Sequence, residues 1–139
     1  MSLGKQIRLS SWLKNGRTFL AALDEVVPQG LAAASGQLEN DLLWLVKSPV
    51  NGLVMHPGIA NRLGQLFAHL KPWIAKLTTN SCMIQDRRKR AVIGSVEQAL
   101  KMGASGVAVN VFVGSDYERE QFEFLAACVS ESNVWGMPV

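Results

Sequence analysis

Apolar residues recur with two alternating periods along this chain, one strand-like and one helix-like, and the period switches about four times. Lys5 to Leu13 reads as an opening helical turn, and Asn15-Gly16 marks a break after it. Thr18 to Glu25, TFLAALDE, is the first predicted strand. Alternation sets Leu20, Ala22 and Asp24 on one face and Phe19, Ala21 and Leu23 on the other. A Gly- and Ala-rich loop covers Val27 to Gly36. Leu38, Leu42, Leu45 and Val46 then recur at helical offsets of four, seven and eight. Asn51-Gly52 leads into a short strand, Leu53-Val54-Met55, closed by His56. Pro57 suits the first turn of a helix, whose stripe is Ile59, Leu63, Leu66, Phe67 and Leu70 and whose stop is Pro72. Trp73 to Thr79 reads as a third strand, with Lys76 in its middle. Asn80 to Arg90 is polar and basic and reads as a mobile loop.

The next stretch carries the plainest signals. Ser95-Val96-Glu97-Gln98 has the form of a capping box, with Ser95 as N-cap. Val96, Ala99 and Leu100 supply a short apolar stripe, and Gly103 stands where a left-handed C-terminal cap would. The Val-rich run Gly106 to Gly114 suits a strand covered on both faces, as in a parallel sheet. A helix from about Tyr117 to Glu131 follows through Phe122, Leu125, Ala126 and Val129. Trp135-Gly136-Met137-Pro138-Val139 looks like the lead-in to a fifth strand. Strand and helix thus alternate through about four βα units, an α/β class with a parallel sheet. A (β/α)₈ barrel takes roughly 250 residues. The expectation is one domain over 1–139, half of such a barrel, with its strands in sequential order.

Composition narrows the function classes. With 139 residues and 48% hydrophobic content, the chain can bury a core without disulfides or metals. Its net charge of +3 is mild, and the basic residues are scattered apart from Arg87-Arg88-Lys89-Arg90, so nucleic acid is not the expected partner. Cys82 and Cys128 lack metal-like spacing and suggest reduced thiols of a cytoplasmic protein. No signal peptide is legible in MSLGKQIRLSSW, and no apolar run is long enough for a membrane span. Gly103-Ala104-Ser105-Gly106 precedes a strand rather than a helix, so a dinucleotide cofactor is unsupported. No cofactor and no metal are expected.

Several segments resemble a known family. Gly4-Lys5-Gln6-Ile7-Arg8-Leu9-Ser10, then Gly16-Arg17-Thr18 before a strand ending in Asp24, is similar to the start of the archaeal-type class I fructose-bisphosphate aldolases. Their relatives include the aminodideoxyheptulosonate synthases and the wider deoxyribose-phosphate and tagatose-bisphosphate (DeoC/LacD) aldolase superfamily. His56-Pro57-Gly58-Ile59-Ala60, Gly94-Ser95-Val96-Glu97-Gln98-Ala99-Leu100, Gly114-Ser115 and Trp135-Gly136-Met137-Pro138 resemble the same family in the same order. The resemblance is collinear and covers the N-terminal half of such an enzyme. It implies a TIM barrel and Schiff-base aldol chemistry on a phosphorylated sugar or triose phosphate, in which a lysine attacks the carbonyl and the iminium accepts electrons. In the family that lysine is on strand six, a proton-handling tyrosine is on strand five, and phosphate binds after strands seven and eight.

Within this sequence the candidates are few. Asp24, at the C-terminal end of strand one, matches the aspartate of the family's Asp-His-Gly motif, which handles protons and contacts a hydroxyl. Glu25 and Val26 stand in place of the His and Gly. The plain alternative is a carboxylate that caps loop amides. Lys76 shares a face with Ile74 and Thr78, read as the barrel lumen. It is either a desolvated nucleophile or a salt-bridged, snorkelling side chain. His56 follows strand two at the same rim, as an acid–base group or a hydrogen-bonded structural one. Asn110 and Phe112 fall on the Ala108 face of strand four, where the family tends to place more polar residues, so Thr78 and Asn110 complete the candidate pocket. Arg87 to Arg90 either steers a phosphorylated substrate or forms a solvated loop.

Three functions follow from this. The first is a class I aldolase chain that is inactive as an isolated half-barrel. The second is a non-catalytic half-barrel that self-associates or pairs with a C-terminal half through its open strand edges. The third is a flavodoxin-like domain that binds a phosphorylated ligand at a topological switch point.

Overall fold

The structure is a computed structural model and describes residues 1–29 and 37–139. Its centre is a sheet of four parallel strands in the order of the chain: β1 (Leu20–Leu23), β2 (Gly52–Met55), β3 (Trp73–Lys76) and, after three intervening elements, β6 (Gly106–Ala108). Before β1 lies α1 (Leu3–Trp12), with Ser2 Oγ accepting from Lys5 N at its start. A two-residue hairpin then joins Lys14 to Arg17, with Asn15 and Gly16 at φ 51° and 72°. After β1 come the short α2 (Val26–Gln29) and α3 (Leu38–Lys47), and after β2 comes α4 (Pro57–Phe67). A second, two-stranded antiparallel sheet consists of β4 (Thr78–Thr79) and β5 (Ala91–Val92). α5 (Val96–Lys101) precedes β6, and α6 (Glu118–Trp135) follows it.

Sequential strand order rules out the flavodoxin-like alternative, in which strand one lies between strands two and three. The two sheet faces also differ. Leu53, Met55, Trp73, Ala75 and Val107 form one buried cluster with Leu42 of α3, Leu63 and Phe67 of α4, Val96 and Ala99 of α5 and Cys128 of α6. Phe67 meets Trp73 edge-on, with ring centroids 6.4 Å apart. Alternation turns Ala22, Val54, Ile74 and Ala108 to the opposite face, where Ala22 is exposed and Val54 and Ala108 are half-buried. All of the long helices that follow β1 thus cover one side.

Several expectations need correction. The predicted loop from Val27 begins as a helical turn, and positions 30–36 lie outside the described residues. Leu70 falls past the end of α4 and is exposed, because the helix stops at Phe67, well before Pro72. Predicted strand three is two strands: beyond Lys76 the backbone leaves β2 and pairs with β5 instead. That departure also shortens strand four. Past Ala108, Asn110 N donates to Thr78 Oγ1 and Phe112 N to Gln121 Oε1, so side chains replace the ladder partners. The 80–90 segment is anchored at both ends rather than loose: Asn80 Nδ2 donates to Arg87 O, and Gln121 Nε2 to Arg88 O.

The last helix is turned relative to the predicted stripe. Gln121, Cys128 and Ser132 face inward, whereas Phe122 and Val129 are 43% and 42% exposed. The bonds of Gln121 to both neighbouring loops fix this rotation, and Glu131 adds to it by accepting from Glu97 N at the start of α5. The helix runs on to Trp135 and ends at Gly136, whose φ of 60° is a left-handed cap. Met137–Val139 forms no strand ladder, but Val107 N donates to Pro138 O beside β6, where the expected lead-in to a fifth strand would lie.

Candidate functional site

Register builds the site. Leu23, Met55, Ala75 and Val107 are aligned across the four parallel strands. One residue further along each chain, the same row reads Asp24, His56, Lys76 and Ala108. Alternation turns that row away from the helices, at the C-terminal edge of the sheet, where α/β folds carry their sites.

Within the row, Lys76 Nζ lies 3.3 Å from Asp24 Oδ2. Only 14% and 15% of the two side chains reach solvent, so this is a largely desolvated ion pair and not a surface one. His56 sits between their strands. It is 3% exposed, it forms the N-cap position of α4, and its Nδ1 is buried without a hydrogen-bond partner. Burial pushes the imidazole below its ordinary pKa. The Asp24 charge and the Thr78 backbone act against that shift, while Lys76 and Arg90 reinforce it. The site thus holds a carboxylate, an ammonium bound to it, and a neutral imidazole with one uncommitted nitrogen.

The candidates Thr78 and Asn110 are hydrogen-bonded to each other. Thr78 Oγ1 accepts from Asn110 N at 3.0 Å and donates to Asn110 Oδ1 at 3.4 Å. All five predicted residues therefore share the C-terminal rim, in two adjoining groups: Asp24, Lys76 and His56 in the row, with Thr78 and Asn110 beside it. The hydrogen-bonded reading of His56 holds for one side of the ring at most, since Nδ1 has no partner.

Sequence reasoning missed Asn80, Tyr117 and Gln121 as rim residues, and it named Arg90 only as one of the Arg87–Arg90 run that steers a phosphorylated substrate or forms a solvated loop. Arg90 Nη1 donates to Asn80 Oδ1 at 2.7 Å, and its guanidinium lies 5.1 Å from the centre of the Phe112 ring. Lys89 Nζ lies 5.7 Å from the centre of the Tyr117 ring. In the sequence these cations blend into a run of four, of which Arg88 is an ordinary exposed partner of Asp86. The clue that separates them is the aromatic pair Phe112 and Tyr117 in the loop after strand four. Among the described residues no three His, Cys, Asp or Glu side chains are placed to hold a metal ion. No helix among them is long and apolar enough to cross a membrane.

Comparison with known proteins agrees with this geometry. Residues 18–139 match the family described as DeoC/LacD family aldolase. The chain is 27% identical over 140 aligned positions to 2-amino-3,7-dideoxy-D-threo-hept-6-ulosonate synthase 1 of Archaeoglobus fulgidus, covering 99% of this chain and 52% of that protein. It is 28% identical over 123 positions to 2-amino-4,5-dihydroxy-6-oxo-7-(phosphonooxy)heptanoate synthase of Streptomyces griseus, covering 88% and 45%. Among solved structures, a Schiff-base-forming fructose-1,6-bisphosphate aldolase superposes with a TM-score of 0.80 at 23% identity, over 97% of this chain and 55% of that one. The fructose-bisphosphate aldolase of Slackia heliotrinireducens superposes with a TM-score of 0.77 at 14% identity, over 99% and 49%. The chain spans about half the length of the curated relatives it matches.

Proposed function

The chain belongs to the DeoC/LacD aldolase family, and on that premise we propose that it serves Schiff-base aldol chemistry on a phosphorylated sugar, with Asp24 as the proton-handling group. The observation that carries this reading is the row formed by Asp24, His56 and Lys76 at the C-terminal strand edge, with its carboxylate–ammonium contact at 3.3 Å. In cleavage, an enzyme amine adds to the substrate ketone and water leaves, giving an iminium. The carbon–carbon bond then breaks, its electron pair moves to the iminium nitrogen, and the β-hydroxyl loses its proton as the aldehyde departs. A carboxylate at the rim suits the taking of that proton.

Lys76 is not the attacking amine in this reading. Its nitrogen is committed to Asp24, and an amine there would have to give up that contact before it could attack. It acts instead as a positioning residue for the carboxylate. The Schiff-base lysine comes from strand six, as the family resemblance implies, and residues 1–139 form one unit equivalent to the first half of the barrel. That half is inactive alone, because proton transfer cannot replace a missing electrophile. It works in the cytoplasm, where Cys82 and Cys128 stay reduced. The test is borohydride trapping with dihydroxyacetone phosphate, read by mass spectrometry. The chain alone should give no adduct, and a mixture with a C-terminal half should give one on that half. A covalent adduct at Lys76, or turnover by the chain alone, would overturn the assignment.

A second reading, a half-barrel that pairs with another copy or a complementing half, is favoured by two observations. Phe19 beside the outer strand β1 is 63% exposed, and α6 turns Phe122 and Val129 outward. Sedimentation decides it: a monomer at all concentrations that also ignores an added C-terminal half counts against pairing.

A further inference from the structure

We propose that the cleft between the 78–92 hairpin and the loop joining β6 to α6 is an oxoanion site that takes the phosphate group of a small ligand. Two cations line the cleft, Arg90 and Lys89. Arg90 is held over Phe112 and through Nη1 by Asn80, while its Nε is buried without an acceptor. Lys89 rests over Tyr117. Neither has a carboxylate within 4.0 Å among the described residues, although Arg88, one and two positions away, is paired with Asp86. Aromatic faces hold the two charges in place without neutralising them. A guanidinium anchored through one nitrogen and carrying an unpartnered N–H keeps charge and donor capacity that an oxoanion would satisfy.

Neutral donors line the same cleft. Thr78 and Asn110 are among its lining residues. Asn110 turns its side-chain oxygen toward Thr78 Oγ1, which directs its N–H₂ group the other way. The cavity holds about 100 Å³. That is room for about three waters' share of liquid volume and far less than the ~300 Å³ at which pockets begin to enclose a whole drug-sized ligand. It fits a tetrahedral group, with the rest of the ligand outside. Thr78, two residues beyond Lys76 of the row, lines the cleft, which places it next to the Asp24–Lys76 pair. One feature opposes the anion: Glu120, exposed on α6, also borders the cleft. Its charge sets a ceiling on affinity and supplies the sharpest control.

The test titrates the full chain with inorganic phosphate at fixed ionic strength, followed by ¹⁵N-edited NMR. Phosphate should shift the backbone amides of Thr78, Arg90 and Asn110. Arg90→Gln should weaken binding at least about tenfold, as expected for loss of a charge-assisted bond, and Lys89→Gln about two- to fivefold. Glu120→Gln should tighten it by about two- to fivefold, a gain that no folding defect produces. Arg119→Gln, an exposed cation on the same helix, should leave it unchanged. Dihydroxyacetone phosphate in place of inorganic phosphate separates the two sources of the group: tighter binding marks an ester ligand, and equal binding marks the free anion. The proposal is overturned if Arg90→Gln and Lys89→Gln bind within twofold of the parent, if Glu120→Gln does not tighten binding, or if the shifts lie elsewhere. No aldol turnover is read, so failure here leaves the aldol reading standing.

Discussion

Replacing Asp24 by Asn should cost the folded chain about 2–3 kcal/mol, even though no apolar contact is lost. At 3.3 Å the two charges attract by about 5 kcal/mol for an effective dielectric of ~20, and by about 1.3 kcal/mol in water. Both groups have surrendered most of their hydration, which consumes much of that attraction. The contact itself therefore contributes little net stability. Breaking it is costly because Lys76 stays in the fold without its counter-charge. For fully buried pairs the loss is about 3–5 kcal/mol, and the seventh of each side chain that still meets solvent sets this one lower. Lys76→Met should cost a similar amount by stranding Asp24. The double variant Asp24→Asn, Lys76→Met should return to within about 1 kcal/mol of the parent, because neither charge remains. Urea unfolding followed by tryptophan fluorescence reads this directly. Each single variant should lower Cm by about 1 M at unchanged m, for m near 2 kcal/mol/M, and the double variant should recover most of it. Single variants that each lose under about 0.5 kcal/mol and simply add would refute a desolvated, coupled pair.

Two further outcomes follow. The His56 pKa is depressed in the fold, so the unfolded chain binds more protons as pH falls, and stability is full above about 6.5 and declines below it. Cm should drop between about pH 7 and 5, and His56→Gln should flatten that slope; an unchanged slope would remove His56 as its source. Burial, helped by the Glu131 charge, pushes the Cys128 thiol up to about 11, whereas Cys82 is exposed. A thiol reagent at pH 8 should therefore label Cys82 quickly and Cys128 only on unfolding, and two fast equivalents by absorbance would contradict the packing of α6.

The sheet was legible because strands covered by helices read as apolar runs, and because the punctuation was local. Ser95 accepts from Gln98 N and Gly103 takes φ 78°, as their positions in the sequence required. Asp24 and His56 were visible as candidates because each closes an apolar strand, and Lys76 because it interrupts one; the structure instead ends β3 at Lys76. Their common row was not visible, since register depends on three strand pairings far apart in sequence. α6 was misread because its buried positions are Gln121, Cys128 and Ser132 while Phe122 and Val129 of the predicted stripe face out, so periodicity pointed to the wrong side. The role of Arg90 was hidden for a related reason, since Phe112 and Asn80, which define it, belong to different loops.

That inverted helix has a practical consequence for anyone handling the protein. A fluorescent hydrophobic probe such as ANS reports exposed greasy surface, and its binding is ordinarily taken as the mark of a loosened, partly denatured state. With Phe122, Val129 and Trp135 presented to water on one well-formed helix, this chain should light such a dye while still fully native. Dye-based melting curves will then start from a bright baseline, and a drop in signal on adding a binding partner will be a more telling readout than a rise on heating.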